Sequence, residues 1–140
     1  MRTFVLDASV ALAWFVDDPA PPYAVRIRDA MASGKAAVVP SLWTLEMANG
    51  LLMAERRGKL TAAEMDHGLS RLEALIAAAI EVDVLAVPTI REAFVPARAH
   101  QLTAYDAVYL ELARREGLPL ATLDKSLRRA AEKAGIPTTV

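Results

Sequence analysis

Short apolar runs alternate along the chain with longer stretches whose apolar positions recur at helical spacing. Phe4-Val5-Leu6 is a buried strand ending in Asp7, and Ala8 to Phe15 continues as a helix. Prolines at 19, 21 and 22 interrupt the chain before a second helix, Tyr23 to Ala32, closed by Ser33-Gly34. Ala36 to Val39 is a second strand, stopped by Pro40. Ser41 can cap a helix to about Arg57, with Leu42, Leu45, Ala48 and Leu52 as its apolar stripe and Gly58 at its end. A second stripe, Trp43, Met47 and Leu51, runs beside the first and suits either core or an interface. Thr61-Ala62-Ala63-Glu64 is a capping box that opens a long helix to about Ala79. Glu81 to Val87 reads as a third strand, and a second capping box at Thr89 opens a helix over residues 89–99. Thr103 opens another, which ends at Arg114-Arg115-Glu116-Gly117. Pro119 to Thr122 is a fourth strand, Asp124 to Ala134 a final helix, and Ile136 to Val140 a last strand.

Strands separated by helices imply right-handed crossovers and an α/β fold with a mostly parallel sheet covered on both faces. The 140 residues show no repeat or linker, so residues 1–140 are expected to form a single domain. The absence of cysteine excludes a disulfide scaffold, a thiol enzyme and a thiolate metal centre. The most apolar stretch, Leu75 to Val87, is interrupted by Glu81 and Asp83, so no membrane span is expected. Asp7 cuts short the first apolar run, so no signal peptide is expected and a cytoplasmic protein is the default. Neither a P-loop nor a G-x-G-x-x-G fingerprint is present.

Sites in parallel sheets gather beyond the carboxyl ends of the strands. Four acids from four segments can reach that region. Asp7 follows the first strand, Glu46 lies early in the helix after the second, Asp106 opens the helix before the fourth, and Asp124 follows that strand. Each has a local explanation: Asp7 and Asp124 as helix caps, Asp106 as partner of the Thr103 cap, Glu46 as an ordinary helix residue. Convergence of all four is harder to explain structurally, because like charges held together repel. A divalent cation removes that cost. With no cysteine, and with His67 and His100 remote from these motifs, the donor set is oxygen-only and suits Mg²⁺ or Mn²⁺. Such a site serves phosphodiester cleavage.

Asp7-Ala8-Ser9, Glu46-Met47-Ala48-Asn49, Thr103-Ala104-Tyr105-Asp106-Ala107 and Ala121-Thr122-Leu123-Asp124-Lys125 occur in that order. With these motifs the chain resembles the PIN-domain ribonucleases, most closely the VapC-type toxins of bacterial toxin–antitoxin pairs. The resemblance implies a three-layer α/β/α fold, Mg²⁺- or Mn²⁺-dependent endonuclease activity on RNA, a homodimer, and inhibition by a small VapB-type antitoxin. It implies that Asp7, Glu46, Asp106 and Asp124 are the catalytic acidic quartet. Asp7 and Asp106 match the usual direct metal ligands, with Asp124 joining them and Glu46 completing the site directly or through water. Ser9 and Thr122 match small hydroxyl positions that orient a carboxylate, and Asn49 matches a polar position beside Glu46. Lys125, next to Asp124, is the RNA-binding candidate. Lys125 and Ser126 stand where some members carry a further acid, which leaves the number of metals open.

Two other classes stay open on sequence. One is a PIN-like module that has lost catalysis and acts through its antitoxin. The other is a phosphoacceptor domain, which wants adjacent acids at the first strand end, whereas Asp17-Asp18 falls after a helix. Arg56-Arg57, Arg114-Arg115 and Arg128-Arg129 read as solvated helix ends or as phosphate contacts. Tyr105 and Tyr109 share a face near Asp106 and read as packing residues. The net charge of -1 argues against indiscriminate polyanion binding. Set aside the four acids, and 13 acids stand against 16 bases, so the remainder is mildly basic.

Overall fold

A computed structural model describes residues 2–84 and 87–139. Its elements are β1 (Arg2–Leu6), α1 (Ala8–Val16), α2 (Pro22–Ala32), β2 (Ala36–Pro40), α3 (Leu42–Arg56), α4 (Ala62–Ala79), β3 (Ile80–Asp83), α5 (Ile90–His100), α6 (Ala104–Glu116), β4 (Leu120–Ala121) and α7 (Lys125–Lys133). The four strands pair in the order β3-β2-β1-β4, all parallel. Helices on both faces complete a three-layer α/β/α sandwich, as expected. In one helical group α6 packs on β1, β2 and β4 and is flanked by α5 and α7. In the other, α1 packs on α2 and α3, and α3 on α4. No described helix is long and apolar enough to cross a membrane.

Local chemistry accounts for most helix starts. At Thr61 and Thr89 the hydroxyl accepts from the N–H three residues on, and Glu64 and Glu92 return the bond to the threonine N–H. Pro22 occupies the first turn of α2, where its missing N–H costs nothing. Gly117 closes α6 at φ 65°, a left-handed conformation that an L side chain resists. Ser41 departs from expectation. It has helical backbone angles and its side chain caps nothing.

Three further expectations are corrected. The third strand ends at Asp83, short of Val87, because β2, its only neighbour among the described residues, is exhausted: Pro40 pairs with Asp83, and the chain then turns into α3. Val84 and Val87 are exposed and lie outside any strand, while Leu85 and Ala86 lie outside the described residues. The last strand reduces to one parallel bridge, Leu120 with Thr138, framed by Leu120 N–H to Pro137 O and Thr139 N–H to Leu120 O. β4 is only two residues long and Pro137 has no N–H, so no longer ladder forms. Val140 lies outside the described residues.

The third correction concerns α3. Its core face is the second stripe: Trp43, Met47, Leu51 and Ala54 are buried. Leu45 of the first stripe is 74% exposed, Ala48 and Leu52 are also exposed, and Leu42 is half-buried. Both stripes satisfy helical periodicity. The larger side chains of Trp43 and Met47 bury more apolar area, which decides the rotation of the helix. Trp43, fully buried, is the largest side chain of the core.

This rotation can be measured. Leu51→Ala should cost about 2–5 kcal/mol through a buried cavity. Leu45→Ala should stay within about 0.5 kcal/mol, as for an exposed site. Chemical denaturation of both variants checks the order, and equal losses would contradict this orientation of α3.

Candidate active site

β1 delivers Asp7 to the carboxyl edge of the sheet, where the Asp7 N–H bonds to Ala121 O at 2.9 Å. This main-chain tie sets the end of β1 against the end of β4. Asp7 occupies the N-cap position of α1, yet its side chain caps nothing. Its carboxylate, on a residue only 5% exposed, accepts instead from two hydroxyls. Ser9 Oγ donates at 2.6 Å and Thr122 Oγ1 at 2.7 Å, both to Oδ2. Oδ1 is left without a side-chain donor among the described residues.

The two hydroxyls are themselves fixed by the β4–α7 turn. Leu123 N–H donates to Ser9 Oγ and Asp124 N–H to Thr122 Oγ1, each at 3.0 Å. Thr122, fully buried, is therefore a relay between the turn and Asp7. Asp124 does cap α7, its Oδ1 accepting from Leu127 N–H at 2.9 Å. Thr103 caps α6 by accepting from Asp106 N–H at 3.1 Å, which places Asp106 in the first turn.

Glu46, half-buried on α3, accepts from Tyr109 Oη at 2.5 Å. Tyr109 is completely buried on α6. Its phenol is pushed above the ordinary tyrosine range by burial, then by the hydrogen bond to Glu46 and the charge of Asp7, so it stays a donor. The packing expectation holds for Tyr109 in burial but missed its bond to Glu46. A tyrosine three residues after Asp106 on a buried stripe needs a partner for its hydroxyl, and that was the available signal. Tyr105 departs from the packing expectation: it is 65% exposed.

The electrostatics tie the four acids into one group. Burial raises the Asp7 carboxyl above the usual range; the Ser9 and Thr122 hydroxyls oppose it, and the charge of Asp124 adds to it. Burial also raises Glu46, Tyr109 holds it down, and Asp7 pushes it up. Asp106 is pushed up to about 6, first by burial and then by the charges of Asp7, Asp124 and Glu46. Asn49 is exposed, makes no side-chain hydrogen bond among the described residues and is not drawn into this group. Lys125 is exposed at the first turn of α7, next to Asp124.

All donors in the group are carboxylate or hydroxyl oxygens, the chemistry of a hard divalent cation. Among the described residues, no three His, Cys, Asp or Glu side chains are arranged to hold a metal ion as they stand. The fit therefore rests on the donor type and on the charges of Asp7, Asp124 and Glu46, which add to burial in raising Asp106 to about 6 and which a cation would offset.

The model of the PIN domain family matches residues 4–133. "Ribonuclease VapC3" of Pyrobaculum aerophilum is 33% identical over 123 residues, covering 88% of this chain and 90% of that protein. The crystal structure of PAE2754 from Pyrobaculum aerophilum superposes with a TM-score of 0.67 at 23% identity, covering 92% of this chain and 84% of that one. At that identity the likeness is one of fold.

The raised carboxyls set a pH dependence with a definite sign. An unfolded aspartate releases its proton near pH 4, and folded Asp106 near 6. Between these values the folded chain holds the extra proton, so stability falls as pH rises through the window. In protein freed of divalent ions, Asp106→Asn should flatten this slope and raise the melting temperature at pH 7. An NMR titration should find the Asp106 midpoint near 6; a midpoint at 4 would contradict the clustered geometry.

Proposed function

The chain belongs to the PIN-domain family, and from that premise we propose that it is a Mg²⁺- or Mn²⁺-dependent endoribonuclease, the toxin of a VapC-type toxin–antitoxin pair. One observation carries the reading: near the carboxyl edge of a parallel sheet the charges of Asp7, Glu46 and Asp124 all act on Asp106, so acids from four separate segments share one neighbourhood. Glu46 and Asp124 have one structural partner each, in Tyr109 and the α7 N-terminus, and Asp7 has two hydroxyls. The shared repulsion around Asp106 has no structural benefit. The 33% identity to a protein named a ribonuclease supports the same chemistry.

In this reading Asp7, Asp106 and Asp124 hold the cation, and the four carboxylates together form the catalytic set. When bound, the ion polarises the phosphoryl oxygen and stabilises the leaving oxygen of the scissile bond. Ser9 and Thr122 keep the Asp7 carboxylate in one rotamer and favour its charged form against burial. In the same reading Glu46 takes a proton from the attacking water. Tyr109 occupies Oε1, which leaves Oε2 for the proton, and burial raises the carboxyl towards the range useful to a general base. Lys125, beside Asp124, meets an RNA phosphate. Asn49 faces solvent and is left to a contact with RNA or a partner.

The family reading also brings a VapB-type antitoxin, a homodimer and a cytoplasmic location as proposals. Exposed Leu45, Ile90 and Phe94 are consistent with contact to other chains.

Asp7→Asn and Asp106→Asn should each lower Mg²⁺-dependent RNA cleavage by at least about 100-fold, beyond what loss of an outer-shell partner costs. Cleavage at the wild-type rate in both variants would overturn these roles. Mg²⁺ at about 100 times its Kd should stabilise the fold by about 2.7 kcal/mol at pH 7. The gain should shrink at pH 5, where protonated carboxyls cannot ligate. A thermal melt with and without Mg²⁺ at the two pH values reads both effects.

A further inference from the structure

Arg128 lies on α7, in the first turn after its Asp124 cap. Its Nη2 donates to the main-chain carbonyl of Thr122 at 2.8 Å. Its guanidinium lies over the ring of Tyr23, 5.1 Å from the centroid. Arg26 lies 5.8 Å from the centroid of the same ring. The Arg128 Nε is buried without a hydrogen-bond partner among the described residues, and the buried Tyr23 hydroxyl interacts with the Thr122 backbone and with Arg128. Leaving a buried donor of a charged group unpaired is costly. A guanidinium free to move would turn to solvent, so the remaining contacts must hold it.

Those contacts form a closed circuit. Asp7 opens α1. Trp14, on α1, donates from Nε1 to Ala24 O at 2.7 Å and pins α2. Ala24 adjoins Tyr23, whose ring carries Arg128. Arg128 holds the Thr122 carbonyl, and the Thr122 hydroxyl returns to Asp7 Oδ2. Thr122 is thus gripped at both ends, by Arg128 through its carbonyl and by Asp7 through its hydroxyl. Its Oγ1 also accepts the Asp124 N–H. One residue therefore sets two of the carboxylates relative to each other.

We propose that Arg128, backed by the ring of Tyr23, is a positioning residue that locks the β4–α7 turn and through Thr122 fixes Asp7 and Asp124 for cation binding. It acts through Thr122 and touches neither the reacting atoms nor RNA. The planar fork of arginine suits this task, because it bonds in its plane while its face lies on the aromatic ring. Lysine keeps the charge without the fork. The cation-binding role rests on the nuclease reading above, whereas the locking of the turn does not.

The test uses Arg128→Met, Arg128→Lys and Tyr23→Leu in the full chain. Amide hydrogen exchange is measured first, without divalent ions. At Leu123 and Asp124, whose N–H groups bond to Ser9 and Thr122, exchange should quicken at least about 10-fold in Arg128→Met, less in Arg128→Lys, while Val5 and Leu6 in β1 stay protected. Mn²⁺ affinity should weaken about 10–100-fold. RNA cleavage should lose kcat, with KM and RNA binding in EDTA unchanged. Unchanged exchange at Leu123 and Asp124 would overturn the proposal. So would uniformly faster exchange over the whole chain, which marks a merely structural arginine. Weaker RNA binding in EDTA with Mn²⁺ affinity intact would also overturn it, by making Arg128 a phosphate contact. If Arg128→Met does not fold, Tyr23→Leu carries the same expectations, because it leaves the arginine in place and removes its backing. A wild type that neither binds Mn²⁺ nor cleaves RNA would refute the nuclease reading, and the exchange comparison would still decide the lock.

Discussion

The burial of one carboxylate governs this molecule. Asp7 follows β1, the inner strand that pairs with both β2 and β4. A charge there loses its water, and an unpaired buried carboxylate is costly. Among the described residues no arginine or lysine bonds to it. It offers two hydroxyls, each tied to the β4–α7 turn by a main-chain N–H. The consequence is rigid placement with incomplete neutralisation. Hydroxyls orient a carboxylate and lower its pKa, but they carry no charge to balance it. The site is thereby stiff in geometry and left in electrostatic debt, the combination that a cation resolves.

How far this was legible in the sequence depended on whether the cause was local. The capping boxes at Thr61 and Thr89 were legible because cap and partner lie within four residues. The order of strands and helices followed from periodicity, and the parallel sheet from the crossovers. The end of β3 was not legible, because it is set by where β2 stops, a fact about another segment. The rotation of α3 was not legible either. Two stripes of equal period compete, and only the volume of the space beneath them chooses Trp43 over Leu45.

The site divides the same way. Asp7, Asp106 and Asp124 could be picked out because strand ends and helix starts are marked in the sequence, and Ser9 and Thr122 because they sit within two residues of an acid. Glu46 was suggested by its place on a largely apolar helix. Its partner Tyr109 is 63 residues away, and no spacing rule joins them. Arg128 read as half of a basic pair at a helix surface, since its bond to Thr122 is a main-chain contact that side-chain patterns do not encode. Asn49 shows the opposite limit: it stands three residues from Glu46 and is exposed, so nearness in sequence does not bring it into the charged group.

The placement of charge adds an argument that net charge hides. Arg2, at the start of β1, pairs with Glu81 and, at 3.0 Å, with Glu116; Arg115 pairs with Asp83 and, at 3.5 Å, with Glu116. These acids are met by arginines in a partly exposed network whose pairs are screened by solvent. The acids beyond the ends of β1 and β4 are met by hydroxyls, a phenol and backbone N–H groups. A chain with 16 basic residues does not lack cations to place there. An arginine within the cluster would relieve Asp106 permanently and would occupy the ground that a divalent ion needs. Arg128 approaches the same turn but spends its hydrogen bond on the Thr122 carbonyl, and its face on Tyr23. Among the described residues, the guanidinium bonded to the turn therefore supports the carboxylates without neutralising them, and their repulsion remains available to favour an incoming cation.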